Sequence, residues 1–398
     1  MVQNLTIMKK SFFLISTLVS LAFMLSLTTF SQENAQKSDD SGYKFTDVKI
    51  IPHTPIKNQN RSGTCWSYAG TSFVESEILN NGGKELDLSE MFAVRNSYKI
   101  KAANYIKLHG AANFGPGGEP HQVIESLAIN GILPDNFYNG LAIGTELPVH
   151  NEMDNLLEAH VKAIVENKNG TLTPVWKKAF EGLLDAYLGE APADFEFDGK
   201  RYSPKSFTLE NVNLDPKNYI EITSFSDQEN YKPFLFLIPD NWDFEQYYNV
   251  PLDEMIETID FALENGYSVA WAADVSDKGF NHKKGVALVP EKDWSKMSAG
   301  EKDSVFIEPV KQKNITPELR LQALEEYSTT DDHSMHIIGL AKDQDGNTWY
   351  KVKNSWGTEN SRYNGYFYAS VPYIKYKTIA IYVNKSGVPK NLTRKLDL

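Results

Sequence analysis

The stretch Gln59-Asn60-Arg61-Ser62-Gly63-Thr64-Cys65-Trp66-Ser67-Tyr68-Ala69 decides how this chain is read, and it holds the only cysteine among 398 residues. Upstream, Pro52, Pro55, Asn58 and the Arg61-Ser62-Gly63 run punctuate a loop. From Trp66 the apolar spacing turns helical, with Trp66, Ala69, Gly70, Phe73 and Glu77 on one face and Val74 and Ile78 flanking it. Cys65 therefore stands where a loop becomes a helix. The free N–H groups and the dipole of a helix N-terminus favour an anion there. A thiol in that place loses its proton more readily, and the thiolate is the nucleophile.

A lone cysteine is by default a small buried hydrophobe. Three neighbours argue for chemistry instead. Gln59, six positions earlier, offers an amide donor to a developing oxyanion. Gly63 lets the backbone approach closely, and Trp66 begins the buried face at once. A glutamine followed at this spacing by Gly-x-Cys-Trp resembles the papain-like cysteine peptidases. That pattern requires a histidine and an orienting partner downstream.

After Tyr327 the chain reads Ser328-Thr329-Thr330-Asp331-Asp332-His333-Ser334-Met335-His336-Ile337-Ile338, a loop feeding a strand. A turn over 343–347 leads into a second strand, then Asn354-Ser355-Trp356-Gly357, then Asn364-Gly365-Tyr366-Phe367-Tyr368 and a last strand over 378–383. Four strands joined by tight turns suggest an antiparallel sheet or barrel. His333 and His336 are three apart, so on a strand they face opposite sides and do not share a metal. Neither HExxH nor CxxC occurs; no metal and no cofactor are expected.

His333-Ser334-Met335 resembles the family's His-Ala-Met segment, and Asn354-Ser355-Trp356-Gly357 its Asn-Ser-Trp-Gly. The resemblance implies that Cys65 attacks a peptide carbonyl and that His333 carries the proton, the two resting as a thiolate–imidazolium pair. It gives Asn354 the task of orienting the imidazole, and Gln59 with the Cys65 N–H that of holding the oxyanion. Trp356 would shield the His333–Asn354 bond and border the substrate. Gly117 and Gly118, within Asn113-Phe114-Gly115-Pro116-Gly117-Gly118-Glu119-Pro120, match by position the glycine pair of the family's cleft wall. Such bare backbone bonds a substrate peptide as an added strand. Taken without the resemblance, the run reads as a plain connector, and it lacks the GxGxxG spacing of a dinucleotide site.

The length admits two or three units or one large two-lobed body. Hydrophobic residues at 41% and aromatics at 12% are ordinary for a globular chain. A net charge of −12 speaks against nucleic acid or anionic membrane as partners. Lys9-Lys10 followed by an apolar run over 11–30 reads as a secretory signal peptide spanning residues 1–31, hence an exported protein, periplasmic or secreted. The other reading of that run is an uncleaved membrane anchor. Oxidising compartments favour paired cysteines, so one unpaired thiol in an exported chain points to chemistry.

Residues 32–45 are a polar linker expected to be disordered. A helical catalytic lobe with Cys65 follows over 46–134, with helices over 65–80, from a Ser89 cap onward, and over 121–130. Residues 135–265 are a long insertion with helices over 151–167, 174–188 and 252–264 and a hairpin across Asp198-Gly199. A β lobe with His333 and Asn354 spans 266–384, and 385–398 is a C-terminal tail. The expected fold is α+β, papain-like and two-lobed, a helical lobe against an antiparallel barrel-like lobe.

The chain is similar in particular to the bleomycin hydrolase and bacterial aminopeptidase C branch of peptidase family C1. The likeness rests on the His-Ser-Met segment, the long insertion, Tyr231-Lys232-Pro233-Phe234 and Pro239-Asp240-Asn241-Trp242, and covers roughly 45–390. It implies an aminopeptidase acting on peptides and a homo-oligomer, usually a hexamer. Two features depart from the branch: the export signal, and a tail lacking the ending of the branch's C-terminal arm, which receives the substrate amine in the cleft. Extended, this tail would span about 50 Å, so reach alone does not exclude such a role. An endopeptidase of the same fold is the near alternative. A non-catalytic peptide-binding protein is the remote one, opposed by the intact Gln59, Cys65, His333 and Asn354 set.

Overall fold

The helix that opens on Cys65, α1 (Cys65–Asn80), is the axis of the molecule. The computed structural model describes residues 42–398; the expected signal peptide and most of the 32–45 linker lie outside them. Every α1 residue from Cys65 to Ile78 is buried, so the helix is enclosed on all sides rather than on one face. Several of its polar residues bond to one half of the protein or the other. Ser67 Oγ donates to the Glu90 carbonyl, Ser72 Oγ pairs with His336 Nδ1 at 2.9 Å, and Glu77 accepts from Tyr219 and Asn384. Most buried polar groups are bonded in this way, though Thr71 Oγ1 and Ser76 Oγ of the same helix have no partner.

On one side lie helices. In α2 (Glu90–Lys107) the Ser89 hydroxyl caps the start by accepting from the Phe92 N–H at 3.0 Å. Next come α3 (His121–Asn130), α4 (Asn151–Val165) and α5 (Val175–Leu188). Met153, Leu157 and Val161 of α4 and Phe180, Leu184 and Leu188 of α5 join one core with Trp66, Phe73 and Met91.

On the other side is one open mixed sheet. Among the described residues its strands are β1 (Thr46–Ile50), β4 (Tyr219–Thr223), β5 (Pro233–Leu235), β6 (Gln246–Asn249), β7 (Val269–Ala273), β8 (Phe280–Asn281), β9 (Val286–Ala287), β10 (His333–Lys342), β11 (Thr348–Lys353), β12 (Tyr366–Ser370) and β13 (Thr378–Asn384). The order is β5-β6-β4-β13-β7-β10-β11-β12-β9-β8, with β1 also pairing with β10. Pairing is antiparallel except at β4–β6 and β9–β12. The barrel-like lobe is thus an open sheet with two free ends. A separate hairpin, β2 (Phe195–Phe197) and β3 (Lys200–Tyr202), turns at Asp198-Gly199 as expected.

Three boundaries differ from the sequence reading. Residues 135–265 form no separate body: the first part extends the helical core, while β4, β5, β6 and the helix α6 (Leu252–Glu264) extend the sheet and its core. Their apolar faces are too small to close on themselves and are buried against what already exists. Tyr43 and Phe45, assigned to the linker, pack on Trp349 and Tyr368, because two aromatic rings are better buried than left in water. The tail folds too. Residues Lys390–Lys395 form the short helix α7, with Leu392 and Leu396 in the same core as α6, and Lys395 Nζ reaches Glu254 at 2.7 Å. Among the described residues no helix is long and apolar enough to cross a membrane.

Candidate active site

Cys65 is the first residue of α1 and is buried. Two backbone N–H groups point at its sulfur, that of Trp66 in the first helical turn and that of Ser334 on β10. The thiol therefore lies against the residue that follows His333. The central strand β10 delivers the histidine by pairing with β7 and β11, with His333 opposite Ala273.

His333 Nε2 and Asn354 Oδ1 are 2.8 Å apart. Asn354 Oδ1 also accepts from the Ser355 N–H at 2.8 Å, which fixes the amide so that its oxygen faces the ring. Nε2 must then carry the hydrogen, leaving Nδ1 as the basic nitrogen. The Trp356 ring lies over the imidazole, with centroids 4.8 Å apart and planes tilted 34°. Phe280 and His282 enclose the other reach of that indole.

Gln59 is held on the same side. Its backbone N–H donates to the Ser355 carbonyl at 2.8 Å, and its Oε1 accepts from Ser355 Oγ at 2.5 Å. With the oxygen engaged, the amide NH₂ is the end left to donate. Ser355 thus fixes both Gln59 and Asn354, a role the sequence reading did not assign.

Gly117 and Gly118 border Trp66, whose Nε1–H donates to the Pro116 carbonyl at 2.9 Å. A Cβ on Gly118 would stand 3.1 Å from the Trp66 ring, and one on Gly117 would stand 2.3 Å from each carboxylate oxygen of Asp240. The glycines are required by close approach. His336 stands apart from this group: it is fully buried on β10, bonded to Ser72 and edge-on to Phe73, a structural residue.

Burial pushes the Cys65 thiol up to about 12; the Ser334 and Trp66 N–H groups pull it down, while the charges of Asp240 and Asp331 push it further up. Burial lowers His333 to about 4, against the Asn354 hydrogen bond, which raises it. The closed site thus favours neutral thiol and neutral imidazole, not the resting ion pair expected from the resemblance. Desolvation disfavours both charges when no substrate is present.

Acidic residues crowd the same place, and the sequence reading missed them. Asp240 lies on the loop before β6 and Asp331 two residues before His333, while Glu119 follows Gly118 directly. They are far apart in sequence and form no spaced motif. Only the fold brings them together, with Asp240 and Asp331 near enough to act on Cys65 and Glu119 against those two.

Residues 187–398 match the Peptidase C1-like family. The chain belongs to the Peptidase C1-like family. It is a cysteine peptidase of α+β, papain-like fold. The matched span holds His333 and Asn354. Similarity to individual C1-like peptidases extends further. "Aminopeptidase C" of Lactococcus lactis is 24% identical over 368 residues, covering 83% of this chain and 80% of that protein. "Cysteine proteinase 1, mitochondrial" of Saccharomyces cerevisiae is 21% identical over 413 residues, 90% of this chain and 80% of that one. The crystal structure of PepW from Lactobacillus rhamnosis superposes with a TM-score of 0.67 at 17% identity, covering 88% of this C1-like chain and 84% of that one.

Proposed function

We propose that this protein is an exported cysteine aminopeptidase that works through Cys65, His333 and Asn354. The observation that carries the triad is the 2.8 Å contact between His333 Nε2 and Asn354 Oδ1 on the residue next to the one whose N–H meets the Cys65 sulfur. Similarity to aminopeptidase C over most of both chains supports the exopeptidase reading.

Cys65 Sγ attacks the carbonyl carbon of the scissile bond while His333 Nδ1 takes the thiol proton. The carbonyl oxygen becomes an oxyanion, held by the Gln59 amide and the Cys65 backbone N–H. His333 returns the proton to the leaving nitrogen, the C–N bond breaks, and an acyl-thioester remains on Cys65. Water, deprotonated by His333, releases the acid and restores the thiol. Asn354 holds the ring through Nε2–H and fixes the tautomer that makes Nδ1 the base. Trp356 keeps water off that bond.

The test compares a leucyl-peptide with its N-acetylated form on wild type and on Cys65→Ala. Hydrolysis of the free form alone, lost in Cys65→Ala, is expected. Equal rates on both forms refute exopeptidase action, and full activity in Cys65→Ala refutes the triad. Export is tested by fractionating the native host: the chain is expected outside the cytoplasm, and a solely cytoplasmic location contradicts it.

A further inference from the structure

The carboxylate of Asp240 lies across the glycine wall. Both its oxygens are 2.3 Å from where a Gly117 Cβ would be, and the Gly118 N–H donates to it. An added peptide strand would need that backbone edge. Because the edge is already taken, a peptide laid along the wall toward Cys65 has no room to continue past Asp240.

The loop that carries Asp240 is pinned to the helical lobe. Asn113 Nδ2 donates to the Pro239 carbonyl at 2.9 Å, and Gln122 Nε2 donates to the Asp240 carbonyl at 3.2 Å. Asp331 comes from the opposite side. Its neighbours are tied to the end of β7, with the Thr330 N–H donating to Asp274 and the Val275 N–H to Asp332. The Asp240 N–H donates to the Asp331 carboxylate, which also meets Glu119.

These acids lack a full complement of donors. Glu119 is wholly buried and, apart from the Asp331 carboxyl that it meets, neither of its oxygens has a hydrogen-bond partner; Asp331 Oδ2 has no other partner either. Lys101 is the cation acting on Asp240, but its ammonium donates to the Gly115 and Gly117 carbonyls. His121 is engaged at both ring nitrogens by Glu221 and Asp243. Buried acceptors without donors are costly, and a cationic donor arriving from the cleft would relieve that cost.

We propose that Asp240 and Asp331, with Glu119 behind them, form the end wall of the cleft and bind the free α-ammonium of the peptide, so that one residue is removed at a time. The proposal rests on the aminopeptidase reading and says which groups enforce it. It also assigns the amine to acidic side chains rather than to the C-terminus. The tail's contacts are with α6 and Tyr231, and neither contributes to the group around Cys65. A second consequence is electrostatic. Burial chiefly holds the thiol protonated and the charges of Asp240 and Asp331 add to it; a bound ammonium offsets that added part, so an amine-bearing substrate eases ionisation of its own nucleophile.

The experiment measures leucyl-coumarylamide and an N-acetyl-dipeptidyl-coumarylamide on wild type, Asp240→Asn, Asp331→Asn and Asp240→Gly. Asp240→Asn and Asp331→Asn are expected to raise KM for the free amine tenfold or more. Asp240→Gly is expected to gain at least tenfold on the blocked dipeptide, an increase that misfolding cannot produce. Unchanged KM in both Asn variants, with no gain in Asp240→Gly, overturns the acidic wall while leaving aminopeptidase action intact in a wild type that demands a free amine. A wild type that cleaves both substrates equally overturns both.

Discussion

At the scale of single residues, the chemistry depends on how tightly Ser355 ties two side chains together. Its hydroxyl fixes the Gln59 amide and its N–H fixes Asn354. Gln59→Ala removes one oxyanion donor. It is expected to lower kcat by roughly 10²–10³ with little change in KM, read by steady-state kinetics. Asp240→Asn has a second expected effect. Removing a negative charge near Cys65 lowers the thiol pKa, so alkylation by neutral iodoacetamide at pH 8 should be faster than in wild type. An unchanged or slower rate shows that Asp240 does not act on the sulfur. The nucleophile, the base and the orienting amide were legible in the sequence because each lies in a short run of distinctive letters. The acids were not. Glu119, Asp240 and Asp331 are ordinary surface letters until three separate segments converge.

At the scale of elements, α1 and α3 were readable from period and stop signals, since Gly131 and Asn81-Gly82 end them where expected. The strands β8 and β9 were not. At two residues each they have no measurable alternation, and β9 is defined by its neighbours, β8 antiparallel on one side and β12 parallel on the other. The loop bearing Asp240 is locked to α3 by His121, which bonds Asp243 at 3.0 Å and Glu221 at 2.8 Å. Burial alone would lower the His121 pKa, but its two carboxylate partners outweigh that and raise it well above the ordinary value. His121→Ala strands two buried carboxylates and is expected to cost about 3–5 kcal/mol, measured by urea unfolding at pH 7. A cost under about 1 kcal/mol would show that the pair is dispensable.

For the whole molecule, the insertion and the tail were the least legible parts. Their helices were visible in the apolar period, but period does not say which core a helix joins. Residues 135–265 turned out to be shared between the two cores, and the tail to be a structural plug. Deleting residues 389–398 removes Leu392 and Leu396 from the core and is expected to lower stability by roughly 3 kcal/mol or more. Preference for a free amine should persist, in contrast to a tail that itself receives the amine. Comparing unfolding midpoints and the free-to-acetylated rate ratio for the shortened and full chains checks both. Loss of that preference with the fold intact would return the amine-binding role to the C-terminus.

All of these expectations assume that substrate passes through a covalent bond to one sulfur. An acid quench during turnover of a slow leucyl ester, followed by peptide mapping in a mass spectrometer, examines that bond directly. A leucyl adduct on the peptide that carries Cys65, present in wild type and missing from Cys65→Ala, is the expected result. Consumption of the ester with Cys65 never modified would contradict it.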